Sequence, residues 1–103
     1  MLFSIDDALK KDNTIFIDVR DLHEIPTINI QNYQQIPLIE IPKSLDKINP
    51  KKDIIVICQS GIRSKNAVQI LRDNGLKKSY SLSDGAAALI KQLKKQNNEN
   101  IKN

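Results

Sequence analysis

The chain has 103 residues, 40% of them hydrophobic, and a formal net charge of +4; this suits one small globular domain and excludes two, because each domain needs ~50 to 200 residues. Its single cysteine excludes an intrachain disulfide and a zinc finger built on cysteines. No apolar run approaches the ~18 residues that span a bilayer, and residues 1–10 lack the apolar stretch of a signal peptide, so we expect a cytoplasmic protein with no membrane partner.

Predicted helices and strands alternate through the first half of the chain. Ser4 is expected to cap a first helix, and the β-branched run Thr14–Val19 predicts a strand. A short strand over Gln35–Leu38 is expected at a sheet edge, because Pro37 has no backbone N–H to donate. The segment Pro42–Ile48 then predicts a short helix, since proline favours the first position of a helix.

The second half contains the most hydrophobic strand and the clearest helix. Asp53–Cys58 is apolar on both alternating faces, as expected for a strand that helices cover on both sides. Ser64–Asn74 places its apolar residues on one broad face, with Ser64 as the expected N-cap. A weaker strand over Ser79–Leu82 and a last helix from Asp84 to about Lys95 complete an alternation that predicts a layered α/β fold.

Most of the positive charge lies at the carboxyl end. Residues 91–103 contain four lysines and one acid, whereas the rest of the chain is nearly neutral. A lysine- and asparagine-rich end without aromatic residues is more typical of a solvated terminus than of a phosphate-binding arm. We therefore expect a domain over residues 1–95, a polar, flexible tail over residues 96–103, and no nucleic-acid partner.

Cys58 comes at the carboxyl end of the buried strand, where parallel sheets form their binding crevice. The chain passes from there to the next helix in few residues, so Gly61 is expected to permit a tight turn whose amides point inward as an anion-binding nest. These amides, the positive end of the helix and Arg63 would all stabilise a thiolate, which predicts a reactive cysteine with a lowered pKa. The residues of this loop are Cys58, Gln59, Ser60, Gly61, Ile62, Arg63 and Ser64.

The cysteine has two other interpretations. A lone cysteine is often a small buried hydrophobe, but a position at a strand end, with glycine and arginine at loop spacing, favours a functional thiol. Protein tyrosine phosphatases place five residues between a cysteine and an arginine, around a phosphate. Here four residues separate Cys58 from Arg63, and the smaller ring suits a sulfur atom better than a phosphoryl group.

With the motifs that flank it, this loop resembles the active-site loop of single-domain rhodanese-like sulfurtransferases. The matching pieces follow one another in the family's order from Ser4 to about Leu93: Ile17–Arg20 with Glu24, Ile36–Leu38, Ile54–Ser64, Asn74–Leu76 and Asp84–Gly85. The stretch Ile36–Ile41 and the cysteine loop are similar to rhodanese domains fused to adenylyltransferases of molybdopterin and thiamine biosynthesis. The chain departs from the family pattern at Thr27–Asn32, which puts local packing in doubt more than the chemistry.

The resemblance implies a three-layer α/β/α fold with a mostly parallel sheet of about four to five strands. It also implies a sulfurtransferase that takes sulfane sulfur from a small anionic donor such as thiosulfate, or from a persulfide, and passes it to a thiol or cyanide. Cys58 would hold the sulfur as a covalent persulfide with no other cofactor, and Arg63 would attract the donor or brace the loop. Asp18, Arg20 and Glu24 would support the site, the last two as an ion pair.

Partners and alternatives follow from the same resemblance. An adenylyltransferase or a sulfur-carrier protein is the implied protein partner, and no metal is expected because the chain has one cysteine and one histidine, His23, which should lie on the surface. The alternatives are a non-catalytic rhodanese-shaped docking module of a cofactor-biosynthesis sulfur relay and a phosphatase or arsenate-reductase-like enzyme. The short loop disfavours the phosphatase or arsenate-reductase-like enzyme, and the retained cysteine disfavours the docking module.

Overall fold

Five parallel strands form one sheet in the order β1-β5-β4-β2-β3. The computed structural model describes residues 2–24 and 27–102, and the side chains of all of these except 97–102. The strands are β1 (Leu2–Phe3), β2 (Thr14–Asp18), β3 (Tyr33–Gln35), β4 (Asp53–Ile57) and β5 (Ser79–Leu82). The helices are α1 (Ile5–Lys10), α2 (Ile62–Asp73) and α3 (Gly85–Lys102), with 3₁₀ helices over Leu38–Lys43 and Leu45–Lys47.

Strand β4 lies at the centre of the sheet and is covered on both faces. Ile54 and Val56 pack into one apolar cluster, and Ile55 and Ile57 pack into a second. The first cluster takes residues from α2 and the 3₁₀ segment, and the second takes residues from α1 and α3. This confirms the three-layer α/β/α fold and explains why β4 is apolar at every position after Asp53.

The register of the central strands places the ends of β2 and β4 side by side. The two strands pair from Thr14 opposite Asp53 to Asp18 opposite Ile57, and the Val19 amide donates to the Ile57 carbonyl at 2.9 Å. The chain leaves β4 toward β5 on one side and leaves β2 toward β3 on the other. Connections that diverge in this way leave a crevice at the carboxyl ends of the strands.

Several predicted elements are confirmed, with shifted ends. The Ser4 hydroxyl caps α1 by accepting a hydrogen bond from the Asp7 amide at 3.1 Å. The expected edge strand is at the sheet edge, but it is β3 (Tyr33–Gln35) and ends before Pro37. Strand β1 was not predicted, because a two-residue strand is too short to show a period.

Two helix predictions are wrong. Pro42 does not begin a helix over Pro42–Ile48; it lies inside the 3₁₀ helix Leu38–Lys43, which begins after Pro37. The last helix does not end near Lys95 but continues to Lys102, because no glycine or proline follows to terminate it.

The flexible tail expected over residues 96–103 stays a prediction, since residue 103 and the side chains of 97–102 lie outside the described part. None of the described helices is long and apolar enough to cross a bilayer.

The start of α3 supports the backbone at the end of β4. The Ala86 amide donates to the Cys58 carbonyl at 2.9 Å, and Gly85 has a φ of +79°. A Cβ at Gly85 would lie 2.5 Å from the Gln59 carbonyl oxygen, well inside van der Waals contact. Residue 85 must therefore be glycine both for its left-handed backbone and for its close approach to the loop after Cys58.

We expect Gly85→Ala to lower the free energy of unfolding by about 2 to 4 kcal/mol, because it adds a clash to the strain of a left-handed residue. Gly75 is the matched control, since it has a φ of +89° and open space around its Cα. Gly75→Ala should cost only about 1 to 2 kcal/mol from strain alone. Urea denaturation of both variants measures the difference, and equal costs would contradict the contact with the loop.

Candidate functional site

The loop after β4 makes its turn at Gly61. This residue has a φ of +91° and is the N-cap of α2, which therefore begins at Ile62. The prediction of Ser64 as N-cap is wrong, because Ser64 is the third residue inside the helix. Its hydroxyl donates to the Gly61 carbonyl at 3.1 Å instead of accepting from a backbone amide.

The sulfur of Cys58 faces this turn. The Gly61 amide donates to Cys58 Sγ at 2.8 Å, and the Ser64 hydroxyl lies 3.4 Å from the same sulfur. Burial raises the pKa of the Cys58 thiol, but hydrogen bonds from the Ser64 hydroxyl and from the amides of Ser64, Gly61 and Ser60 outweigh it. The pKa of Cys58 is therefore lower than that of an ordinary cysteine, in the direction that the sequence predicts.

Arg63 braces the loop through Glu24. Its two terminal nitrogens donate to the two carboxylate oxygens of Glu24, at 2.5 and 2.8 Å. The Asp21 amide also donates to Glu24, at 2.7 Å. The Arg63 hydrogen bonds, followed by the one from Asp21, lower the pKa of Glu24 to about 2. The carboxylate thus ties the start of α2 to the segment after β2 and compensates the charge of Arg63.

The predicted ion pair between Arg20 and Glu24 is wrong. Arg20 instead donates to both carboxylate oxygens of Asp18, and both side chains are buried. The Arg20 amide also donates to Asp18, at 3.0 Å, so the backbone turn after β2 brings the two side chains together. These hydrogen bonds to Asp18 raise the pKa of Arg20. The pair supports the end of β2 and does not reach Cys58 through a described hydrogen bond.

Sequence reasoning missed two residues of this region. Tyr33 on β3 donates to Asp18 at 2.6 Å, and burial, with this hydrogen bond, raises the pKa of its phenol. Ser81 on β5 lies behind the loop with its hydroxyl 2.6 Å from that of Ser64. The small polar residues at alternate positions of β5, Ser79 and Ser81, are the one signal that could have drawn attention to this strand.

The described residues offer no group of three or more His, Cys, Asp and Glu side chains that could hold a metal ion. His23 is exposed, as predicted. The site therefore consists of a buried thiol, backbone amides, the hydroxyl of Ser64 and the braced guanidinium of Arg63. This arrangement can hold an anionic sulfur through dipoles that are already oriented.

The chain matches a family model and is similar to several known proteins. A family model for the rhodanese-like domain matches residues 4–92. The chain is 29% identical over 79 residues to the thiosulfate sulfurtransferase GlpE of Coxiella burnetii, covering 77% of this chain and 74% of that protein. It is 33% identical over 69 residues to the putative sulfur carrier protein YrkF of Bacillus subtilis, covering 67% of this chain and 37% of that protein.

A solved structure shares the same fold. The rhodanese-related protein of Thermoplasma volcanium superimposes with a TM-score of 0.77 at 26% identity, over 87% of this chain and 90% of that one. The chain spans 29% to 55% of the length of three of the curated relatives that it matches, YrkF among them.

The lowered thiol pKa should be visible in a titration. We expect the thiolate of Cys58 to form with a midpoint below that of an ordinary cysteine, and the thiolate to be lost as the pH falls through that midpoint. Ultraviolet absorbance of the thiolate measures it without requiring access to the buried sulfur, with Cys58→Ser as the blank. The same chain in urea gives the unfolded reference, and a folded midpoint at or above that reference would contradict the hydrogen bonding described here.

The two ion pairs should differ in their contribution to stability. Asp18→Asn leaves the buried charge of Arg20 uncompensated and should cost about 3 to 5 kcal/mol. Glu24→Gln removes a pair whose side chains are 31% and 27% exposed, and should cost about 1 kcal/mol or less. Urea denaturation of the two matched amide variants compares them, and a larger cost for Glu24→Gln would overturn the pairing.

Proposed function

The chain belongs to the rhodanese-like domain family, and from this we propose that it is a sulfurtransferase in which Cys58 carries sulfane sulfur as a persulfide. The relatives of the chain include a thiosulfate sulfurtransferase, and this supports sulfur transfer at the level of the family. The observation that carries the proposal is the hydrogen bond from the Gly61 amide to Cys58 Sγ at 2.8 Å, in a loop that stabilises a thiolate.

In the first step, the Cys58 thiolate attacks the outer sulfur of the donor. A bond forms between the two sulfurs, and the bond between the outer sulfur and the rest of the donor breaks. When thiosulfate is the donor, sulfite leaves with the electron pair of that bond, and the negative charge remains on the terminal sulfur of the persulfide. No general base is required, because the thiol is ionised before it attacks.

In the second step, an acceptor takes the terminal sulfur. The thiolate of an acceptor, or cyanide in an assay, attacks that sulfur, and the electron pair of the sulfur–sulfur bond returns to Cys58. The amides of residues 59–63 hold the charged sulfur between the two steps. Ser60 and Ile62 therefore contribute through their backbone, and Arg63 contributes by fixing the loop.

The pairing of Arg63 also bears on the donor. Its guanidinium is occupied by Glu24, so a doubly charged donor such as thiosulfate meets amide dipoles and little uncompensated positive charge. A persulfide, which carries one charge, suits this site better, and we propose a persulfide-bearing thiol as the physiological donor. Thiosulfate then serves as a workable assay donor.

The similarities also suggest protein partners. A sulfur-carrier protein is supported by the similarity to YrkF. The proposal of an adenylyltransferase of molybdopterin biosynthesis rests on the resemblance at Ile36–Ile41 and in the loop Cys58–Ser64. We propose a cytoplasmic location, because a reducing compartment keeps the single thiol available for sulfur transfer.

The experiment that tests this function is intact-protein mass spectrometry after treatment with thiosulfate or with a low-molecular-weight persulfide. The wild-type chain should gain ~32 Da, one sulfur atom, and lose it again when cyanide or a thiol is added. Cys58→Ser, which leaves no thiol in the chain, should show neither the adduct nor any thiocyanate formation. His23→Ala is the control and should retain both, because the mechanism uses no histidine.

Other outcomes separate the alternatives. Cys58-dependent turnover of an aryl phosphate without a sulfur adduct would replace the proposal with a phosphatase-like enzyme. A chain that forms no adduct with either donor, and whose thiol titrates like that of the unfolded chain, would be a docking module.

A further inference from the structure

A chain of buried hydroxyls runs from β5 to the sulfur of Cys58. The hydroxyl oxygen of Ser81 lies 2.6 Å from that of Ser64, which in turn lies 3.4 Å from Cys58 Sγ. The exposed fractions of Ser81, Ser64 and Cys58 are 2%, 0% and 1%. Because solvent barely reaches these groups, their protons must be shared among their protein neighbours.

The surroundings of Ser81 determine the direction of its hydrogen bond. Among the described residues, the hydroxyl of Ser64 is the one hydrogen-bond partner of the Ser81 hydroxyl. If Ser64 donated to Ser81, the Ser81 proton would be buried without an acceptor, which is unfavourable. Ser81 therefore donates to Ser64, and the proton of Ser64 stays free for a different acceptor.

Two acceptors compete for the Ser64 proton. One is the Gly61 carbonyl oxygen at 3.1 Å, which already accepts the Lys65 amide at 3.2 Å. The other is Cys58 Sγ. While Cys58 is a thiol, its S–H donates to Ser64 and the Ser64 proton points to Gly61, so every group is satisfied. When Cys58 is ionised, the sulfur becomes the better acceptor because it carries the charge and has lost its own proton.

We propose that Ser81 is a positioning residue for Cys58: by donating to Ser64, its hydroxyl directs the single proton of Ser64 toward the sulfur whenever the sulfur is negatively charged. The inference rests on the proposed function to the extent that the charged sulfur is the nucleophile. The Ser81 hydroxyl makes no described hydrogen bond to the sulfur and acts through Ser64 alone. The charge shared along the two hydroxyls strengthens both hydrogen bonds.

The other groups around the sulfur act independently of Ser81. Arg63 on α2 is the charged side chain whose field reaches Cys58, and Glu24 compensates it. From the start of α3 the contact is the Ala86 amide on the Cys58 carbonyl. On β5, the hydroxyl of Ser79 is buried like that of Ser81 but donates to the Leu76 carbonyl at 2.7 Å, away from the site. Ser79 is therefore a matched control on the same strand.

The test is a thiolate titration by ultraviolet absorbance, with circular dichroism to confirm folding. Ser81→Ala should move the midpoint for Cys58 upward by about a few tenths of a unit, because it removes only the strengthening of the Ser64 hydrogen bond and not a bond to the sulfur itself. Ser79→Ala should leave it unchanged. A Ser81→Ala midpoint equal to that of the wild type, or an equal shift in Ser79→Ala, overturns the proposal.

A double-mutant comparison shows whether Ser81 acts through Ser64. Ser64→Ala should raise the midpoint at least as much as Ser81→Ala, and the double variant should match Ser64→Ala alone. Additive shifts, or a Ser64→Ala midpoint like that of the wild type, contradict the coupling of Ser81 to Cys58 through Ser64. The titration needs no sulfur donor, so its failure is distinguishable from failure of the proposed function: a chain with these shifts but no persulfide keeps the positioning role and loses the sulfurtransferase.

Discussion

The hydrogen bond from the Gly61 amide to the Cys58 sulfur depends on a turn that glycine adopts without strain. With a φ of +91° at Gly61, the chain reverses within the four residues that follow β4 and enters α2 at Ile62. The amide of the turn then points back at the residue that ends the strand, and the first turn of the helix brings the Ser64 hydroxyl to the same sulfur. A side chain at position 61 would oppose this backbone, so one residue determines both the entry to the helix and the environment of the thiol.

Two neighbouring elements keep this turn in place. From α3, Gly85 allows close approach to the Gln59 carbonyl. From the segment after β2, Glu24 holds Arg63. The end of β2 is itself fixed by the buried pair of Asp18 and Arg20. Two buried charges that are close and hydrogen-bonded tolerate burial, whereas either one alone would not, so the position of β2 beside β4 is strongly specified.

The cysteine loop could be predicted from the sequence because its parts are neighbours in the chain. A buried strand, a glycine, an arginine and an amphipathic helix follow one another within a few residues, and local chemistry is enough to assemble them. The partner of Arg20 could not be predicted in this way, since Asp18 and Glu24 are both close in sequence and only the backbone turn after β2 selects Asp18. Tyr33 and Ser81 were missed because each reaches the site from another strand, and the register of parallel strands leaves no fixed spacing in the sequence.

The site stabilises negative sulfur with dipoles more than with charge. Arg63 is the nearby cation, and its pairing with Glu24 leaves amides and hydroxyls as the main donors to Cys58. This distribution suits the proposed sulfur transfer, in which the negative charge moves from Sγ to the terminal sulfur as the persulfide forms and returns as the acceptor removes it. A single uncompensated cation beside Sγ would favour one of these positions and penalise the other. Amides spread around a loop can serve both positions, and a hydroxyl that exchanges its proton between Gly61 and the sulfur can follow the charge without any movement of the backbone.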